Sequence, residues 1–167
     1  MALNAYLRLK GQKTGEVKGS ATQRGREGKI LVIAALHSIE SPRDSHTGLP
    51  AGSRLHKPFV ITKESDRASP ILYSMLANNE TIVEWELQFW SPSPNPAPGA
   101  GQDIQTHSVK LLNASIVSIN FCMPNSKNPE LVRYVEYEQV TFTYQKITWT
   151  WNDGGIMAAD DWNAPVH

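Results

Sequence analysis

Apolar residues recur at every second position through most of this chain, and a period of two is the signature of half-buried strands. Leu3, Ala5, Leu7 and Leu9 share one face of the opening segment, Asn4, Tyr6, Arg8 and Lys10 share the other, and Gly11 closes it. In "TIVEWELQFW", Val83, Trp85, Leu87 and Phe89 face one way while Glu84, Glu86 and Gln88 face the other. Further on, Val140, Phe142 and Tyr144 alternate. The phase then shifts to Ile147, Trp149 and Trp151, with Thr141, Thr143, Thr148 and Thr150 opposite. Side chains alternate faces only in an extended chain, so the pattern predicts a mainly β fold whose sheets bury one face.

The departures from that period carry information too. "ILVIAAL" (Ile30 to Leu36) is apolar without a break, so both faces of this strand are expected to be covered. Core covers one face, and an internal layer or a neighbouring subunit covers the other. Between residues 105 and 121 the apolar phase changes twice: Val109 and Leu111 give way to Ala114 and Ile116, then to Val117, Ile119 and Phe121. Each change implies a bulge or bend, the devices that curve a sheet toward a barrel. Cys122, at the end of this run, is expected to be a small core residue. A second strand is expected from Glu16 to Thr22. "RGREGK" (Arg24 to Lys29) then reads as a solvated turn through Gly25 and Gly28, because a strand follows it and not a phosphate-binding helix terminus.

One helix is legible, over about residues 69–78. Ser69 is expected as its N-cap and Pro70 as its first residue; Ile71, Leu72, Met75 and Leu76 share a face, and Asn78-Asn79 can close it in a left-handed conformation. Before it, Leu55, Phe59, Val60 and Ile61 predict a strand that Pro58 pushes toward an edge or bulge. Two long connections are expected, a polar one over 38–55 and a proline-rich hairpin loop over 91–104.

The 167 residues fit a single domain spanning 1–167, and sixteen basic residues balance sixteen acidic ones. No global field draws the chain to nucleic acid or an anionic membrane. No segment reads as a signal peptide or approaches the roughly 18 apolar residues of a membrane span. Cys122 is the only cysteine, which suits a reducing cytosol.

Catalytic readings find little support. "HKPFVITKESDRASP" (56–70) gathers His56, Lys57, Lys63, Asp66 and Ser69, but Ser69 is better used as a cap. Lys63, Glu64, Asp66 and Arg67 alternate in sign as a solvated turn does. Asp153, Asp160 and Asp161 could hold a hard cation, yet their spacing matches no EF-hand loop, and solvated acids around a Gly-Gly turn explain them as well. His37, His46, His56, His107 and His167 show no ligand spacing, and no nucleophile elbow or nucleotide-binding loop occurs. No enzyme, metal or cofactor is expected.

"YLRLKGQKTGEVKGSATQRGREGKI", "HSIESPRDSHTGLPAGSRLHKPFVITKESDRASPIL", "FTYQKITWTWNDGG" and the tail "DDWNAPV" resemble Hcp, the haemolysin-coregulated tube protein family of bacterial type VI secretion systems. The likeness runs nearly end to end; Ser91 to Gly101 is its least typical part. It implies a curved, barrel-like fold of two sheets with one flanking helix. It also implies homohexameric rings stacked into a tube, inside a contractile sheath and under a VgrG-type spike, with effector proteins carried in the lumen. By this resemblance the chain is assembled in the cytoplasm and exported to the medium or a target cell without a signal peptide. The sequence ends at His167, directly after the family's core, so no fused C-terminal effector domain is expected. The long connection becomes a reaching element, and Arg43, Asp44, Arg54, His56 and Lys57 are the expected ring-stacking and subunit-interface residues.

The competing readings are three. A monomeric β-sandwich binding module would use Trp85, Trp90, Trp149 or Trp151 as a carbohydrate platform; a hydrolase would use His56 or His107; a phage-like tail tube would share the assembly logic.

Overall fold

The computed structural model describes residues 3–94 and 103–164. In chain order its strands are β1 (Ala5–Gly11), β2 (Gly15–Val17), β3 (Ile30–Val32), β4 (Ala34–Leu36), β5 (Ile39–Glu40), β6 (Leu55–His56), β7 (Phe59–Glu64), β8 (Ile82–Pro92), β9 (Asp103–Leu112), β10 (Ser115–Cys122), β11 (Tyr137–Thr143), β12 (Lys146–Trp151) and β13 (Ile156–Asp161). The helix α1 (Ser69–Ala77) lies between β7 and β8. A seven-stranded sheet runs β13-β12-β9-β8-β1-β2, with β3 also on β1; a four-stranded sheet runs β10-β11-β7-β4; β5 and β6 pair alone.

The alternating faces line up across strands because register places like with like. In the larger sheet Leu9, Trp85, Leu111 and Ile147 form one inward row, and Leu7, Leu87, Val109 and Trp149 the next. In the smaller sheet Ile119, Val140, Ile61 and Ala35 form a row. Trp85 joins the two layers: its ring meets Phe59 at 5.0 Å and Phe142 at 5.5 Å, both edge-on, a favoured aromatic geometry. The expected curved two-sheet fold with one short helix is what forms.

Several boundaries differ from the sequence reading. Ile30 to Leu36 is not one strand: β3 lies in the larger sheet, β4 in the smaller, and the chain changes sheets at Ile33. The change explains the unbroken apolar run, and β4 is left exposed, with Leu36 72% accessible. Residues 105 to 121 likewise split into β9 and β10 in different sheets. The corner is left-handed Asn113 (φ 49°), and the second phase change is a bulge at Val117. Val83 points outward while Ile82 is buried, because a register shift opposite Lys10 and Gly11 inserts one residue. Cys122 is half-buried opposite Tyr137, outside the core, where β10 runs on to exposed Met123. β2 is shorter than expected, and residues 156–161, read as solvated tail, form β13. The turns at Gly25 and Gly28 are present, both in the left-handed region. The hairpin joining β8 to β9 is narrower than 91–104, since Ser91 and Pro92 pair with Ile104 and Asp103. The rest of that proline-rich connection, 95–102, lies outside the described residues.

The helix start is also different. Ala68 occupies the cap position without a side-chain bond, and Ser69 is already helical. Instead, Asp66 Oδ1 accepts the Ala68 N–H at 2.9 Å and Ser69 Oγ accepts the Asp66 N–H at 3.0 Å. The Ser69 hydroxyl has further work inside. It donates to Glu138 at 2.8 Å and accepts from Lys63 at 2.9 Å, and Lys63 lies 3.0 Å from both Asp66 and Glu138. Lys63 is wholly buried, contrary to the solvated-turn reading. Strand phase forces this: Phe59, Ile61 and Lys63 share the inward face of β7, and Glu138 stands directly opposite Lys63 on β11. A charge carried inward by its strand survives only if it is paired. The helix packs its Leu72 and Met75 inward beside β10 and ends at left-handed Asn79, as expected.

Replacing Glu138 by alanine strands a buried ammonium and is expected to lower the unfolding free energy by about 3 kcal/mol in denaturant titration. The double replacement Lys63→Met with Glu138→Leu is expected to recover part of that loss.

Candidate functional site

The polar connection from 38 to 55 is not structureless. It is a two-stranded arm: Ile39 pairs with His56, Glu40 with Leu55, and an isolated bridge joins Arg43 to Pro50. Asp44 builds the tip. Its carboxylate accepts the His46 N–H at 3.0 Å, the Thr47 N–H at 2.8 Å and the Thr47 hydroxyl at 2.9 Å, and these bonds, from Thr47 above all, hold it below the usual carboxylate range. Gly48 and Gly52 supply the left-handed turns that fold the tip back. Arg43 is exposed beside Asp44, and Leu49 leaves 64% of its surface to solvent. At the other end Lys57 stands 3.8 Å from Glu40 on the surface.

The arm's root is buried and polar. Tyr144, at the corner between β11 and β12, places its hydroxyl 2.6 Å from His37 Nε2 and 3.0 Å from His56 Nδ1. These two histidines flank the two strands of the arm, so one oxygen ties down both ends. His56, only 4% exposed, turns its Nε2 to Asp160 Oδ2 on β13 at 2.6 Å. Arg54 donates its Nε–H to the same carboxylate oxygen and its terminal nitrogen to the Asp161 carbonyl. Trp162 closes the cluster against His56 and Tyr144. The Arg54 guanidinium, helped by His56, holds the Asp160 carboxyl below its ordinary range. Burial pushes the Tyr144 phenol up to about 12. Burial, and then the neighbouring His56, lower His37.

The five sequence-derived interface residues therefore separate. Arg43 and Asp44 sit at the tip and Lys57 at the exposed root, while Arg54 and His56 face inward and grip β13. His37, Tyr144, Asp160 and Trp162 were missed. The pairs lie 88 to 107 residues apart, and no spacing rule reaches that far. Asp160, read as a possible cation ligand or a solvated acid, is committed to Arg54 and His56. Asp161 accepts from Gln145 at 3.3 Å and from the Asn163 N–H at 2.9 Å. Among the described residues no cluster of three or more potential metal ligands occurs.

Among the described residues the His56–Asp160 pair faces the Tyr144 phenol, and His56 is only 4% exposed. His107 is stacked between Phe89 at 4.2 Å and Trp151 at 5.6 Å, and burial lowers its pKa. Of the tryptophans read as a platform, Trp85 is buried and Trp90 and Trp149 are half-buried; only Trp151 is openly exposed.

Two further surfaces flank the arm. Edge strand β4 exposes Leu36 next to Ile33, and edge strand β13 exposes Ile156 and Met157. No helix among the described residues is long and apolar enough to cross a membrane.

A two-sheet scaffold with an anchored arm and open apolar edges, β10 with exposed Val117 and Phe121 among them, is what the geometry defines. A family model described as "Type VI secretion system effector, Hcp" matches residues 6–151. The "Major exported protein" of Pseudomonas aeruginosa is 36% identical, with 99% of each chain covered. Among solved structures, the Hcp1 protein from E. coli carrying two tryptophan substitutions is 36% identical with a TM-score of 0.82, covering 96% of this chain and 99% of that one. The secreted protein Hcp3 from Pseudomonas aeruginosa is 30% identical with a TM-score of 0.75 and the same coverage. The chain belongs to the Hcp family of type VI secretion proteins.

Because Asp160 is held below its ordinary range, its contribution is present above the unfolded value of about 3.9 and is lost as pH falls below that value and through the lower folded one. Asp160→Asn is expected to cost about 2 kcal/mol at neutral pH, with the gap to wild type closing below about pH 4 in urea titrations.

Proposed function

We propose that this chain is the tube subunit of a type VI secretion system. Six copies close into a ring, rings stack into the inner tube, and sheath contraction ejects that tube with a VgrG-type spike at its tip and effectors in its lumen. Residues 1–167 act as one unit without catalysis. The subunit is assembled in the cytoplasm and exported by that contraction.

The observation that carries this reading, beside family membership, is a pair of open edges on different sheets. β4 and β13 each leave ladder groups and apolar side chains uncovered, a hazard in a lone molecule and an opportunity in an assembly. Two unlike patches per subunit are what a closed heterologous ring requires. Zero net charge avoids strong repulsion between stacked rings. The arm reaches the neighbouring ring: Arg43, Asp44 and Lys57 supply its contact groups, and Arg54 and His56 act from behind by fixing its direction.

Light scattering and negative-stain imaging of the purified chain test this. Six-membered rings with an open centre are expected; a monomer at every concentration, with no rings on adding the spike protein, would sink the reading. The double variant Arg43→Ala/Asp44→Ala is expected to keep its fold by circular dichroism while forming fewer and shorter stacks. Stacks of unchanged length would remove the arm from the interface.

A further inference from the structure

We propose that the root of the arm is a two-proton latch, closed while no more than one of His37 and His56 is protonated and open when both are. The latch belongs to the single chain and stands whether or not the chain forms rings.

Hydrogen-bond polarity at the Tyr144 hydroxyl leads to this. A carboxylate only accepts, so His56 Nε2, 2.6 Å from Asp160, carries a hydrogen. In the neutral ring Nδ1 is then an acceptor and takes the Tyr144 O–H at 3.0 Å. The Tyr144 oxygen in turn accepts from His37 Nε2–H at 2.6 Å. The result is one directional chain, His37 to Tyr144 to His56 to Asp160.

One added proton leaves the chain intact. Protonated His37 still donates to Tyr144. If His56 is protonated instead, Nδ1 becomes a donor, and the hydroxyl turns to a His37 tautomer whose Nε2 accepts. A second proton has no such solution. Both rings then donate to one oxygen, and the buried Tyr144 hydrogen points at no acceptor, a costly arrangement.

The surrounding charges make the same demand. From the arm itself the cluster meets Arg54 and, on the surface, the Lys57–Glu40 pair. From β13 it meets Asp160, already shared by Arg54 and His56, while Asp161 is bound by Gln145. Across the β12–β13 ladder Lys146 stands opposite Asp161. β7 contributes Phe59, stacked on His37 at 5.0 Å, and Trp162 packs against His56 while its indole N–H, a donor only, is directed at the Tyr144 hydroxyl. Two imidazolium ions would add to Arg54 around a single committed carboxylate. His37 already resists protonation in the closed state, so closure is secure above the ordinary histidine value of about 6.5 and weakens as pH falls below it toward the lowered value of His37.

Opening the latch frees both ends of the arm together, since His37 precedes Ile39 and His56 pairs with it. Amide hydrogen exchange over residues 39–55 tests this on the full chain, with light scattering confirming one assembly state at each pH. Protection relative to the unstructured rate is expected to fall by about tenfold or more between about pH 7.5 and 5 in wild type. His37→Gln, which can never take the second proton, is expected to stay protected over that range, and Tyr144→Phe to be loose at both ends of it. In wild type the ring NMR signals of His37 and His56 are expected to titrate over the interval in which protection is lost. Constant wild-type protection, equal loosening of His37→Gln, or rings that both titrate while the arm stays protected would each overturn the latch.

Discussion

Trp85 is the wedge on which the rest of the molecule depends. It belongs to the seven-stranded sheet, yet its ring edges against Phe59 and Phe142 of the four-stranded one, with Leu7, Leu87 and Ile61 filling in around it. Two sheets sharing one core in so short a chain require strands to cross between them. They do so at Ile33, at Asn113 and at Tyr144–Gln145. Each crossing ends one alternation and starts another, which is why the apolar phase slips where it does. The third crossing also places Tyr144, the residue that receives the arm.

Two buried polar clusters tie distant segments to that core. Lys63, Asp66, Ser69 and Glu138 join β7, the helix start and β11; His37, His56, Tyr144, Asp160 and Arg54 join the arm to β13. Buried polar groups tolerate no missing partner, so each cluster has one satisfactory geometry and confers direction as well as stability. For a subunit whose proposed work is contact, direction matters most: the arm projects from a fixed root while its tip and the sheet edges remain open. The chain invests part of its ionisable residues in positioning, while edge strands β4 and β13 expose apolar side chains.

Much of the fold was legible because period two is a local property. The inward faces that carry Leu9, Trp85 and Ile147 could be read from alternation alone, and the helix near Ser69 and the turns at Gly25 and Gly28 from local signals. The phase changes near Ala114 and Val117 correctly announced a corner and a bulge. Lys63 could have been placed as well, since it continues the inward series of Phe59 and Ile61 and faces Glu138, which precedes Val140 and Phe142 in phase; its charge obscured its position in the pattern. Family resemblance named the class of protein, and the matched relatives agree with that reading.

The sequence by itself determined which residues face inward, because side-chain alternation follows from backbone geometry and needs no partner strand. Tertiary structure alone decided which sheet each strand joins, and so which distant side chains meet. Ile30 to Leu36 looked like one covered strand and became two, one of them open to solvent. Arg54 and His56 looked like surface and were drawn inward by Asp160, while Tyr144, read only as part of an apolar face, became the knot at the base of the arm. These outcomes depend on contacts between residues about a hundred positions apart. Such contacts are set by packing around Trp85, and no local period records them.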